Sequence, residues 1–130
     1  MKPNDMYFPI AACAGCDHPD AADYDKRWLV VDENGRLVTR DEFPLLGEIA
    51  PAIRFGYLAI KAPGMLRMDI PLDVIEDDDS VRRVATIGTQ KVDVVDEGDL
   101  AATWLTNYLK APCRLMKVHP DAGKVDWPVL

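Results

Sequence analysis

Three cysteines and two histidines are the side chains of this sequence best suited to metal or thiol chemistry, and two of the cysteines stand in a C-x-x-C pattern. Cys13 and Cys16 are followed by His18, and Cys113 is followed by His119. Thiolates and imidazoles gathered at tetrahedral distances hold zinc, so these five residues define one candidate site. No second C-x-x-C completes the set. A redox role would need a helix N-terminus to depress the thiol pKa, and "DHPDAAD" after Cys16 does not read as a helix following a strand. Nucleophilic catalysis would need a base beside a thiol, for which His18 and His119 qualify by type only. The spacing argues for no metal site and no catalytic residue, and a small zinc protein is the last of the readings it leaves open.

Composition narrows the classes further. A length of 130 residues suits one domain with its own core. Lys and Arg number 15 against 22 Asp and Glu, a formal net charge of -7. That balance disfavours a nucleic-acid partner, whose binding depends on neutralising phosphates. The start "MKPNDMYFPI" lacks the apolar stretch of a secretory signal, and no apolar run approaches the ~18 residues that span a bilayer. The expectation is a soluble, cytoplasmic protein with no membrane partner, whose odd number of cysteines stay as thiols. Phosphate-loop, G-x-S-x-G and H-E-x-x-H signatures are missing.

The elements that must position any site are mostly short strands. "RWLVVDENGRLVTR" predicts a hairpin, with Trp28 to Asp32 and Arg36 to Thr39 flanking Asn34-Gly35. Further strand-like runs are Glu48 to Arg54, Leu58 to Lys61, Leu66 to Ile70, Val81 to Ile87 and Val92 to Val95, each bounded by Gly, Pro, Asn or Asp. The period changes once. Leu100, Ala101, Trp104, Leu105 and Tyr108 recur at helical spacing, with Asp99 placed to cap the start and Pro112 barring continuation. "CRLMKVH" returns to strand character before the tail "PDAGKVDWPVL". The acidic run Glu76 to Asp79 reads as a solvated loop, and Trp28, Trp104 and Tyr108 as core aromatics. The fold expected is mainly β, a small antiparallel β-barrel with one α-helix in the C-terminal half, formed by residues 1–119 and followed by a tail at 120–130.

The order of these pieces is more specific than any of them. "FPIAACAG", "YDKRWLVVDENGRLVTRDEFPLL", "LAIKAPGM", "IPL" and "AATWLTNYLKAPCRLM" together resemble the N-terminal β-barrel domain of the MOSC family, molybdenum-cofactor proteins that include the mitochondrial amidoxime-reducing component. The resemblance runs from about Tyr7 to about Met116 and makes "FPIAAC" the first barrel strand. It implies that the cofactor lies between this barrel and a C-terminal MOSC domain, which holds the metal through a cysteine. It also implies that basic side chains of the barrel meet the cofactor's phosphate. The family's "P-[IV]-K-S" is Pro9-Ile10-Ala11-Ala12 here, so the lysine is replaced by Ala11. "D-R-x-W" is Asp25-Lys26-Arg27-Trp28, which keeps positive charge. "T-x-R-x-x-P" is Thr39-Arg40-Asp41-Glu42-Phe43-Pro44, with an acid in the arginine's place. Lys26, Arg27 and Arg40 are therefore the candidate cofactor-binding residues, for a small anionic ligand. The expected role is an accessory or binding module without a cofactor of its own. The alternative is the cofactor- or substrate-binding half of a molybdenum-cofactor oxidoreductase, completed by a MOSC domain in cis or in trans.

Overall fold

A computed structural model of the chain describes residues 6–72, 79–128 and 130. It is mainly β, with seven strands and one α-helix among the described residues. The strands are β1 (Trp28–Asp32), β2 (Ala50–Arg54), β3 (Tyr57–Lys61), β4 (Met68–Pro71), β5 (Arg82–Ile87), β6 (Gln90–Asp96) and β7 (Cys113–Val118). The helix, α1 (Asp99–Leu109), lies between β6 and β7. One antiparallel sheet has the order β1-β7-β6-β5 and the other β2-β3-β4. Glu76, Asp77 and Asp78, read as a solvated loop, lie outside the described residues; Asp79 opens a short 3-10 turn, Asp79–Val81.

The hairpin at Asn34-Gly35 forms only in part, and the departure is what closes the barrel. Gly35 turns the chain at φ 77, and the Asp32 carboxylate accepts from the backbone N–H of Asn34 (2.8 Å) and Arg36 (3.0 Å). The return arm is not a strand paired along its length. Its contacts are divided between two neighbours: Leu37 bridges Val31 of β1, and Arg36 bridges Thr86 of β5. Those two strands are the edges of the four-stranded sheet, so this short segment joins edge to edge and curls the sheet on itself. The long partner of β1 is β7, paired from Trp28↔Lys117 to Asp32↔Cys113.

Alternation along β1 then separates two cores. Leu29 and Val31 face inward with Leu37, Ala85, Ile87, Val92, Val94 and Met116. Trp28 and Val30 face the other way, where Leu115, the apolar side of the β2-β3-β4 sheet and Ala101, Leu105, Tyr108 and Leu109 of α1 meet them. Because both faces are covered, the first four residues of β1 are buried and the strand reads as a continuous apolar run.

Two expected details change. Asp99 is the first residue of α1, not its cap; Gly98 holds that position with φ 105 and no side-chain cap. The Asp99 carboxylate instead accepts from Arg114 at 2.7 Å. "FPIAAC" is not a regular strand either. It makes isolated bridges at Tyr7↔Cys16 and Ile10↔Trp28, because Pro9 has no N–H to donate and Ala12, at φ 70, turns the chain away.

Candidate functional site

The turn from Phe8 to Cys13 runs beside Lys26 to Trp28, held by three backbone hydrogen bonds. Lys26 N–H donates to the Phe8 carbonyl (2.7 Å), Trp28 N–H to Pro9 (2.9 Å) and Ala11 N–H to Trp28 (2.8 Å). The Asp25 carboxylate accepts from Phe8 N–H at 2.7 Å, fixing the start of the turn. Gly15 leaves room behind it: a Cβ there would stand 2.8 Å from the Met6 methyl carbon and 3.0 Å from the Phe8 ring. Lys26 itself has φ 53, a left-handed conformation that an unbranched side chain tolerates at some cost.

Beside this turn lies a cavity of about 280 Å³ lined by Phe8, Ala12, Cys13, Lys26, Arg40 and three tail residues, Trp127, Pro128 and Leu130. Lys26 is half-buried; Arg40 is exposed, and its stem lies against Gly47, where an added Cβ would come within 3.3 Å of the Arg40 Cδ. The Arg40 Nε donates to the main-chain oxygen of Leu130 at 3.0 Å. Two of the three residues expected to bind an anion thus share one cavity. Arg27 does not line it; its backbone donates to Tyr24 and accepts from Val118.

The carboxylates next to these cations in sequence do not pair with them. Asp25 and Asp32 are engaged by backbone N–H groups. Among the described residues, no ion pair joins Lys26, Arg27 or Arg40 to a carboxylate side chain. Two larger cavities have different chemistry. One of about 490 Å³ contains Arg114, whose guanidinium is held by Asp96 and Asp99. The other, of about 530 Å³ between Met65–Asp69 and α1, contains Arg67 paired with Asp69.

The five thiol and imidazole residues do not converge. Among the described residues, no three His, Cys, Asp or Glu side chains are close enough together to hold a metal ion. Cys13, 1 % exposed, has its thiol pushed up to about 12 by burial, with Arg40 acting weakly in the other direction. Burial also raises the Cys113 thiol, against a hydrogen bond with Thr106. Each histidine caps a short 3-10 turn: His18 Nδ1 accepts from Asp20 N–H (3.2 Å) and His119 Nδ1 from Asp121 N–H (3.0 Å). Both belong to an H-P-D-A repeat, a signal of this structural role visible in the sequence.

Ala11, in the place where the resemblance implies a lysine, is fully buried in the barrel core, whereas Ala12 lines the cavity. Sequence reasoning did not anticipate Phe8, Cys13 or the tail residues as cavity walls. The apolar run in "VDWPVL" was the available signal for the tail, since Val125, Trp127 and Leu130 pack against the barrel core.

Residues 6–112 match the MOSC N-terminal beta barrel domain, and the chain belongs to that family. It is 29% identical to molybdenum cofactor sulfurase of Danio rerio over 91% of this chain and 15% of that protein. It is 32% identical to mitochondrial amidoxime-reducing component 1 of Danio rerio over 75% of this chain and 30% of that protein. The chain thus spans only about a seventh and a third of these relatives. The solution structure of a Bordetella bronchiseptica protein superposes with a TM-score of 0.84 at 54% identity, covering 98% of each chain. No helix among the described residues is long and apolar enough to cross a membrane.

Proposed function

We propose that this chain is a binding module of the molybdenum-cofactor protein class, which takes a phosphate-bearing ligand at Lys26 and Arg40 and performs no chemistry alone. The observation that carries this reading is the pairing of two cations, neither tied to a carboxylate side chain, in one cavity of a protein with net charge -7. The relative named molybdenum cofactor sulfurase supplies the class of ligand. The donors suit the phosphate end of that cofactor: a point charge at Lys26, a planar donor at Arg40 and an apolar wall at Phe8. When bound, the cofactor supplies redox chemistry at its metal. A MOSC domain in cis or in trans is the partner that would hold that metal.

The residues of this chain orient and neutralise. Lys26 is set by the Phe8 carbonyl that accepts its N–H, and Arg40 by packing on Gly47. The Cys13 thiol stays protonated at neutral pH, so it contributes bulk and not charge to the cavity floor. Titration of the chain with inorganic phosphate tests the reading. Amide resonances of Phe8, Lys26 and Arg40 should shift together, and Lys26→Ala should abolish the effect. Shifts that persist unchanged in that variant would refute it.

A further inference from the structure

We propose that residues 124–128, together with Leu130, form a strap that competes with anions for Arg40, so that the cavity is self-occluded until the strap lifts. This rests on the anion reading of the cavity, and three independent contacts support it. The Gln90 side chain clamps the strap by its backbone: Gln90 Nε2 donates to the Asp126 carbonyl at 2.6 Å, and Asp126 N–H donates to Gln90 Oε1 at 3.1 Å. Trp127 and Pro128 form one wall of the cavity. Arg40 Nε then donates to the main-chain oxygen of Leu130, an acceptor standing where an anion's oxygen would be bound.

The strap is built to be held and released locally. Asp126 and Pro128 are exposed, and Val125, Trp127 and Leu130 only half-buried, so its hold depends on one reciprocal amide pair, the Arg40 hydrogen bond and three apolar side chains. Segments with so few buried contacts open at far lower cost than the barrel core. A ligand that needs the open form binds with an affinity reduced by the fraction of chains that are open. A partner that draws the strap away would therefore switch the cavity on without touching Lys26 or Arg40.

Two variants test this against the unaltered chain: Gln90→Ala, which removes the clamp, and a chain ending at Gly123. The readouts are phosphate affinity by NMR titration and the rate of Cys13 alkylation by iodoacetamide, resolved by peptide mass spectrometry. Cys13 lines the same cavity and is 1 % exposed, so its labelling reports on the cover without any ligand. Both variants should bind phosphate roughly threefold or more tightly and label Cys13 faster. Equal phosphate affinity in all three chains would overturn the strap while leaving the anion site intact. Faster labelling without phosphate binding in any chain would overturn the anion reading and the competition with it. Unchanged labelling and no binding would overturn both.

Discussion

Lys26 and Trp28 stand two residues apart at the entry to β1 and sit in opposite surroundings. Trp28 is fully buried with its polar atom partnered: its indole N–H donates to Glu97 at 2.5 Å, its ring stacks on Tyr24 at 5.8 Å, and the Lys117 ammonium lies 5.6 Å from the ring centroid. Lys117 itself is 4 % exposed and donates to the Leu72 carbonyl at 2.8 Å. Buried charge is tolerated there because its polar contacts are supplied by the fold. Lys26 instead reaches a cavity mouth whose second cation, Arg40, has a main-chain oxygen for its partner. One basic side chain braces the core, and the other lines a cavity.

The largest effect should come from the core side of that comparison. Trp28→Ala removes a fully buried indole together with its hydrogen bond to Glu97 and its contact with Lys117, so a loss of about 3–5 kcal/mol is expected in chemical denaturation. Trp104→Ala should cost less than that range. Its indole is half-buried on α1, donating to the Leu66 carbonyl at 2.7 Å and packing on Tyr108 at 5.8 Å. Equal losses at the two positions would mean that the core extends to the outer face of α1, erasing the contrast between braced and open regions.

The cavity floor should reveal itself through pH. Burial pushes the Cys13 thiol from its ordinary value of 9.0, which holds in the unfolded chain, up to about 12 in the fold. Between those values the unfolded chain has released a proton that the folded chain keeps, so stability is complete below pH 9 and falls as pH rises toward 12. Cys13→Ala should flatten that decline, measured by urea unfolding between pH 8 and about 10.5. Parallel curves for the two proteins would show that the thiol is wetted by the cavity, and the floor would then belong with the open region.

Much of the fold was legible because it rests on local rules. The apolar runs bounded by Gly, Pro and Asp became β2 to β7 with ends shifted by a residue or two, and the 3.6-residue period became α1. What escaped was decided by partners distant in sequence. The Arg36–Leu37 segment is divided between β1 and β5, a choice invisible in the hairpin signal at Asn34-Gly35. Residues 120–130 read as a polar tail, yet Val125, Trp127 and Leu130 pack on the barrel core, held partly by Gln90, more than thirty residues earlier. Of the three candidate cations read from type and resemblance, Lys26 and Arg40 line one cavity and Arg27 does not, a grouping that depends on contacts distant in sequence.

The smallest effect expected is also the one that most sharpens the contrast between braced and open charge. Asp41 is exposed and follows Arg40 directly, in the position where related barrels are expected to carry an arginine. Its charge opposes any anion approaching the cavity mouth, but water screens it, so its influence is modest. Asp41→Arg should strengthen phosphate binding roughly two- to fivefold at low ionic strength, through lost repulsion and an added donor. The gain should shrink as salt is raised, whereas the contribution of half-buried Lys26 should persist. Stability should hardly change, because Asp41 makes no ion pair among the described residues. If Asp41→Arg leaves phosphate affinity untouched at every salt concentration, the anion does not approach past Arg40, and the mouth of the site must lie on the Phe8 side of the cavity.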